Sequence, residues 1–206
     1  MKMENDEMNT YADETLYRIY IKLSGVISRD RYQFELILCL TLGILFGCVT
    51  QSVYGGSSDW KGVLAGYCAG FLPSLRAVFP VTLGFVAAVF AVAPFAYVRL
   101  LIYPLSAVRA MGLGALCCGA LQCGSLREVS FASIVLLPYA AVNCLIAVYA
   151  GEYALGLRES FTGENQGLTR SLIVHTLKML SCYLALAALS CVVFALSCLL
   201  FGIYLI

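Results

Sequence analysis

The sequence predicts an all-α, polytopic membrane protein: a helix bundle with about five transmembrane helices. Residues 36–54, 77–98, 130–150 and 181–206 contain no Lys, Arg, Asp or Glu, and residues 104–124 form a fifth apolar run interrupted only by Arg109. A bilayer core is crossed by a helix of about 20 predominantly apolar residues. The composition agrees, with 61% hydrophobic and 12% charged residues and a mean hydropathy of +0.88. The runs are also continuously apolar. A membrane strand would need only about 10 residues and would alternate apolar with polar.

Two regions follow from this pattern, a polar segment 1–33 and a transmembrane helical domain 34–206. The segment begins acidic, with Glu4, Asp6, Glu7, Asp13 and Glu14. Leu16, Ile19, Tyr20, Leu23, Val26 and Ile27 then recur at helical spacing, with Arg18, Lys22 and Arg29 around them. This predicts an N-terminal amphipathic helix. It either lies on the inner membrane surface or docks, solvated, on the protein's own helices. The polar stretch before the first apolar run is too long for the charged region of a signal peptide, so the first helix is expected to be retained.

Helix 1 is predicted over residues 34–54. Its Gly43 and Gly47 form a G-x-x-x-G, which lets a second helix approach closely. The expected partner is a helix of the same chain; a homo-oligomer through the same two glycines is the alternative. Gly55, Gly56, Ser57, Ser58 and Asp59 mark a turn. Residues 63–72 are apolar but span only about half a membrane as a helix. They read as a short interfacial or re-entrant helix on the outer side. Trp60, Tyr67 and Phe71 are its candidate partner surface, because aromatics concentrate at binding hot spots. Trp60 equally suits anchoring at the membrane boundary.

Helix 2 is predicted over 75–98, with Pro80 in its first turn and Pro94 kinking its last turns. Residues 99–104 are a connection or a bent continuation. Helix 3 is predicted to start near Pro104. Its Ala110, Gly112, Gly114, Ala115, Gly119 and Ala120 suit tight, central packing. Ser125 and Glu128 fit a capping box opening helix 4 near Leu126. Pro138 is expected to bend that helix and to free the carbonyl of Ile134, to which Asn143 would donate. Glu152 lies near its inner end. After a polar loop at 158–170 no breaker occurs until Gly202. A helix of that whole length exceeds the roughly 30 Å core, so its start is expected to be juxtamembrane and helix 5 proper to cover 179–206.

The Lys/Arg distribution sets the orientation. With the N-terminus inside and five spans, Lys2, Arg18, Lys22, Arg29, Arg31, Arg99, Arg158, Arg170 and Lys178 lie inside, against Lys61, Arg76 and Arg127 outside. The expected localisation is therefore a multi-pass cell-membrane protein with a cytoplasmic N-terminus and an external C-terminus. Arg109 is expected to snorkel inward from the first turns of helix 3, to pair with Glu152, or with it to form a transported-ion or proton site.

Little in the chain predicts chemistry. The net charge of +1 gives no reason to expect nucleic acid. His175 is the only histidine, and no zinc-protease, phosphate-loop or nucleophile-elbow motif occurs. Nine of the ten cysteines fall in apolar runs, where they behave as small hydrophobes, and Cys117, Cys118 and Cys123 lack zinc-site spacing. No catalytic residue, cofactor or metal is predicted. The candidate polar residues are Arg109, Asn143 and Glu152, with Pro138 beside them.

A family pattern emerges from residues 82–160. Arg109 is followed by spaced Gly112, Gly114 and Gly119, then by Gly124, an apolar helix start, Leu137-Pro138, and a long apolar run ending at Arg158. This resembles the stage II sporulation protein M family of integral membrane proteins. There a basic residue and glycines open one helix and a Leu-Pro pair interrupts the next. Ala110 stands where the family usually has glycine. The resemblance implies a non-enzymatic scaffold that recruits peptidoglycan-degrading enzymes at the septal or engulfing membrane, with the bilayer and cell-wall hydrolases as partners. The alternative is a membrane subunit of a small-solute transporter, suggested by a proline-broken helix 4 beside a glycine-rich helix 3.

Overall fold

The computed structural model describes residues 31–55, 62–63, 66–67, 69–95, 97–122, 126–162 and 170–205. The chain divides into two compact units, Met1–Glu35 and Leu36–Ile206. Of the first, residues 31–35 are described, and Arg31 Nε donates to Glu35 Oε1 at 2.8 Å. The amphipathic helix expected before them, with its Leu16-to-Ile27 stripe, lies outside the described residues.

The helices are α1 (Arg31–Tyr54), α2 (Phe71–Val92), α3 (Val98–Gln122), α4 (Leu126–Phe131), α5 (Leu137–Thr162) and α6 (Arg170–Leu205). A π turn at Ala132–Leu136 joins α4 to α5, so the two form one span. Among the described residues five helices are long and apolar enough to cross a membrane. Among the described residues there is no strand. The protein is an all-α helical bundle.

Burial separates the spans. In the fourth, Leu126–Leu157, 56% of the apolar window is buried, against 22–33% in the others. The fourth span is therefore the centre of the bundle. Helix 3 was expected there, because of its small residues. Those residues admit a neighbour on one face only; Leu101, Val108 and Gly112 on the other are exposed. The core joins Leu113 of α3, Phe131, Leu136 and Tyr139 of the fourth span, and Cys191, Phe194 and Phe201 of α6. Tyr139 packs on Phe194 with the rings tilted by 38° and centroids 4.4 Å apart, and Phe131 meets Phe201 edge-on at 5.1 Å. The most extensive helix pair is α2 with α6.

α1 buries one stripe, Leu36, Leu40, Gly43 and Gly47. Its other apolar side chains, such as Leu42, Phe46 and Val49, are more than half exposed, as suits a lipid-facing helix. The glycines press on α3. A Cβ at Gly43 would lie 2.4 Å from the carbonyl oxygen of Ala107, and one at Gly47 2.1 Å from that of Met111. Gly114 returns the contact, 2.4 Å from the carbonyl oxygen of Ile44. The same-chain partner is the one observed. α3 occupies the face that Gly43 and Gly47 present.

Three boundaries differ from expectation. α2 begins at Phe71, directly after Gly70 at φ 148°. Phe71 and Leu72 thus belong to a span and not to a separate outer helix, and Pro80 is interior rather than in the first turn. α2 ends at Val92, before Pro94. Pro94 lies in the turn between two helices instead of kinking one, consistent with its missing backbone donor. α3 then starts at Val98, six residues before Pro104. Val98 and Ile102 are both buried, and that apolar burial extends the helix through the proline. α6 is a single helix of 36 residues, about 54 Å long, with no break between juxtamembrane and spanning parts. The Ser125–Glu128 capping box lies partly outside the described residues, since Ser125 is not among them.

Candidate functional site

Four polar side chains meet near the middle of three spans. Thr82 is the twelfth residue of α2 and Arg109 the twelfth of α3. Tyr139 and Asn143 sit one helical turn apart in the first turns of α5. Arg109 Nη2 donates to Thr82 Oγ1 at 2.8 Å, to Asn143 Oδ1 at 2.9 Å and, more weakly, to Tyr139 Oη at 3.4 Å. Thr82 Oγ1 and Tyr139 Oη also share a hydrogen bond of 2.9 Å. Asn143 Nδ2 donates to the carbonyl of Tyr139 at 2.9 Å. A guanidinium only donates, so the amide must turn its oxygen towards Arg109. That orientation leaves the nitrogen for the backbone.

The local sequence explains this placement. Pro138 has no N–H for the preceding turn, and the chain widens there: Leu137 N–H bonds the carbonyl of Ala132, five residues back. π turns of this kind re-aim the residues that follow and are frequent at functional sites. Tyr139 and Asn143 consequently face inward, 6% and 4% exposed. The π turn ends at Leu136, two residues before Pro138. The expected bond from Asn143 to the Ile134 carbonyl is corrected, because the amide reaches the Tyr139 carbonyl instead.

Arg109 does not snorkel. Starting α3 at Val98 moves it from the first turns to mid-span, and its bonds run into the bundle. Nor does it pair with Glu152, which lies nine residues past Asn143, about 13 Å along the helix. The bonds to Thr82, Asn143 and Tyr139 all leave from Nη2, and Nε is buried without a partner among the described residues. The Ser106 hydroxyl, three residues earlier on α3, is also buried without a partner, with Ser106 0% exposed. The cluster thus brings a full positive charge together with neutral acceptors only.

The other predicted residues lie elsewhere. Tyr67 is half-buried, and its ring meets Phe194 edge-on at 5.7 Å. Burial against the bundle pushes its phenol above the usual tyrosine value. Its backbone carbonyl accepts the Ser74 hydroxyl. Tyr67 thus anchors the segment before α2 onto the bundle. Phe71 is half-buried in the first turn of α2, and Trp60 lies outside the described residues. Eight cysteines are described, and none of these is in a disulfide. Cys48 and Cys118 knit the α1–α3 seam: Cys48 Sγ donates to the Gly114 carbonyl at 3.5 Å and Cys118 Sγ to the Cys48 carbonyl at 3.6 Å. Among the described residues no three His, Cys, Asp or Glu side chains are grouped to hold a metal ion.

A second feature is an apolar groove of about 430 Å³ between α5 and α6, lined by Val142, Leu145, Tyr149, Tyr183, Leu186 and Val193 among others. Its two serines turn away, Ser190 to the Ala187 carbonyl and Ser197 to the Val193 carbonyl, each at 2.8 Å.

Thr82, Tyr139 and Ser106 were not anticipated from the sequence. A threonine, a tyrosine and a serine in apolar runs are ordinary there; only the position of Tyr139 after the Leu-Pro step carried a hint. Set against family models, curated protein sequences and solved structures, the chain matches none.

Proposed function

We propose that this protein is a non-enzymatic scaffold of the cell membrane, resembling stage II sporulation protein M, that holds peptidoglycan-degrading enzymes on its outer face. The N-terminus is inside and the C-terminus outside. The observation that supports the reading is where the resemblance-bearing residues fall. Arg109 and the step after Leu137-Pro138 belong to one cluster that ties α2, α3 and α5 together, and Gly114 of the same pattern holds α1 on α3. The pattern therefore ties the bundle together, as suits a scaffold. The docking surface is residues 55–76, where Leu72 and Arg76 are exposed while Tyr67 secures the segment inward.

The test is crosslinking and co-purification of the intact protein. It is compared with a variant whose residues 56–66 are replaced by a Gly/Ser linker, leaving Tyr67, Gly70 and Phe71 in place. Recovery of cell-wall hydrolases with the intact form and their loss with the variant support the scaffold. Equal recovery by both refutes the docking surface.

The transporter reading has one observation in its favour. The π turn at Ala132–Leu136 interrupts the fourth span beside its buried polar residues, and interrupted spans mark substrate sites in many transporters. Solute uptake into vesicles holding the purified protein, with no hydrolase recovered in the first experiment, would decide for it.

A further inference from the structure

We infer that Arg109 is the cationic half of an intramembrane oxyanion site, whose ligand is a carboxylate or phosphate group. The argument starts from charge. Arginine stays protonated in proteins, so the mid-span cation cannot be relieved by losing a proton. A charge in the low-dielectric interior needs an opposite charge to offset its desolvation, which is several kcal/mol per ion. The groups that hold Arg109 are a threonine hydroxyl, a tyrosine hydroxyl and an asparagine carbonyl. None carries charge.

Donor geometry says the same thing independently. A guanidinium has five N–H groups. Three acceptors share the two hydrogens of Nη2, while buried Nε has no acceptor. The Nε–H and one Nη2 N–H form the side edge of the fork, the edge that grips a carboxylate or phosphate with two parallel bonds. Thr82, Asn143 and Tyr139 take up the Nη2 hydrogens, so Nε–H is the donor of that edge that has no acceptor, and an incoming oxyanion would bond Nε–H and share Nη2 with them. The buried, unpartnered hydroxyl of Ser106 lies at i−3 on the same helix face. It adds a neutral donor, as oxyanion sites commonly use. An unsatisfied cationic donor and an unsatisfied hydroxyl one turn apart are the complement of one oxyanion.

Two sources can deliver that group: a small anion from the water, or the phosphate of an anionic lipid entering from the bilayer. The experiment separates them. The full chain is purified, delipidated and held in phosphatidylcholine nanodiscs. Its melting temperature is followed against sodium phosphate at constant ionic strength, and separately against increasing phosphatidylglycerol content. Saturable stabilisation by phosphate identifies a soluble anion, and by phosphatidylglycerol alone a lipid headgroup. In either case Arg109→Gln should weaken the response by about tenfold or more and Ser106→Ala by about fivefold. Ser106→Ala removes one oxygen from a small buried side chain, so it keeps the test open if Arg109→Gln fails to fold. A wild-type protein indifferent to both probes overturns the site. So does a response that Ser106→Ala leaves unchanged and Arg109→Gln, where folded, leaves unchanged too.

Discussion

Replacing Gly47 by alanine probes the tightest helix contact in the bundle. The added Cβ would sit 2.1 Å from the carbonyl oxygen of Met111, 2.9 Å from its carbonyl carbon and 3.0 Å from the amide nitrogen of Ala115. Ordinary contact begins at 3.4 Å, so α3 must retreat by roughly 1.3 Å along that direction. Every obstructing atom is backbone, and no side chain can rotate out of the way. Overpacking of this kind is destabilising by about 1–3 kcal/mol, and a rigid backbone obstacle belongs at the upper end. At this chain length about 1 kcal/mol corresponds to about 2–4 °C in melting temperature, so a fall of about 5–10 °C is expected. Gly112→Ala is the internal control. It sits on the same α3 seam helix, but nothing lies within 4 Å of its would-be Cβ. There alanine should be neutral or stabilising by up to about 1 kcal/mol, through helix propensity alone. The assay is size-exclusion chromatography of detergent-solubilised fluorescent fusions after stepwise heating. If Gly47→Ala melts within a degree of Gly112→Ala, the close α1–α3 approach is wrong.

Further outcomes follow from the same geometry. Thr82→Val and Tyr139→Phe each remove an acceptor of the buried guanidinium and should each destabilise the protein by about 1–3 kcal/mol. On an Arg109→Met background the same changes should cost far less in a double-mutant cycle on thermal unfolding, and additive effects would contradict the cluster. Exposed Cys182 should react with a membrane-permeant maleimide in the folded protein, while Cys191 and Cys198, both 0% exposed, should react only after denaturation; mass spectrometry of the labelled peptides reads the order. A C-terminal fusion should be active only with a reporter that works outside the cell, as the Lys/Arg asymmetry requires, and a cytoplasmic signal would remove the proposed orientation.

The spans were legible because they rest on uninterrupted apolar runs, and the pairing of Gly43 and Gly47 within the chain because small residues invite close approach. Helix ends near Pro94 and Pro104 were misread for one reason. A proline states that a donor is missing, and only the burial of Val98 and Ile102 decides whether the helix stops or absorbs the loss. The candidate site was half legible. Arg109 and Asn143 announce themselves as polar residues in apolar sequence. Thr82 does not, because a hydroxyl able to bond its own helix is at home in a span. Nor does the π turn, which adds a residue to the turn before Pro138 and so changes which face Tyr139 and Asn143 occupy. Periodicity assumed at 3.6 residues per turn has no means of showing that shift.

The order in which the cluster's members leave the ribosome gives it a history. Thr82 precedes Arg109 by 27 residues, but Tyr139 and Asn143 come 30 and 34 residues after it. At about 5–20 residues per second, translation leaves roughly 2–7 s in which α3 exists without its later acceptors. A central arginine opposes membrane insertion by about 2.5–3.5 kcal/mol. Nascent chains whose emerged part ends between Gln122 and Tyr139 should therefore hold α3 in the bilayer least firmly, and those whose emerged part extends well beyond Asn143 most firmly. On this account the fourth span is a late-arriving solvent for the third, and the bundle's biogenesis is gated at one residue.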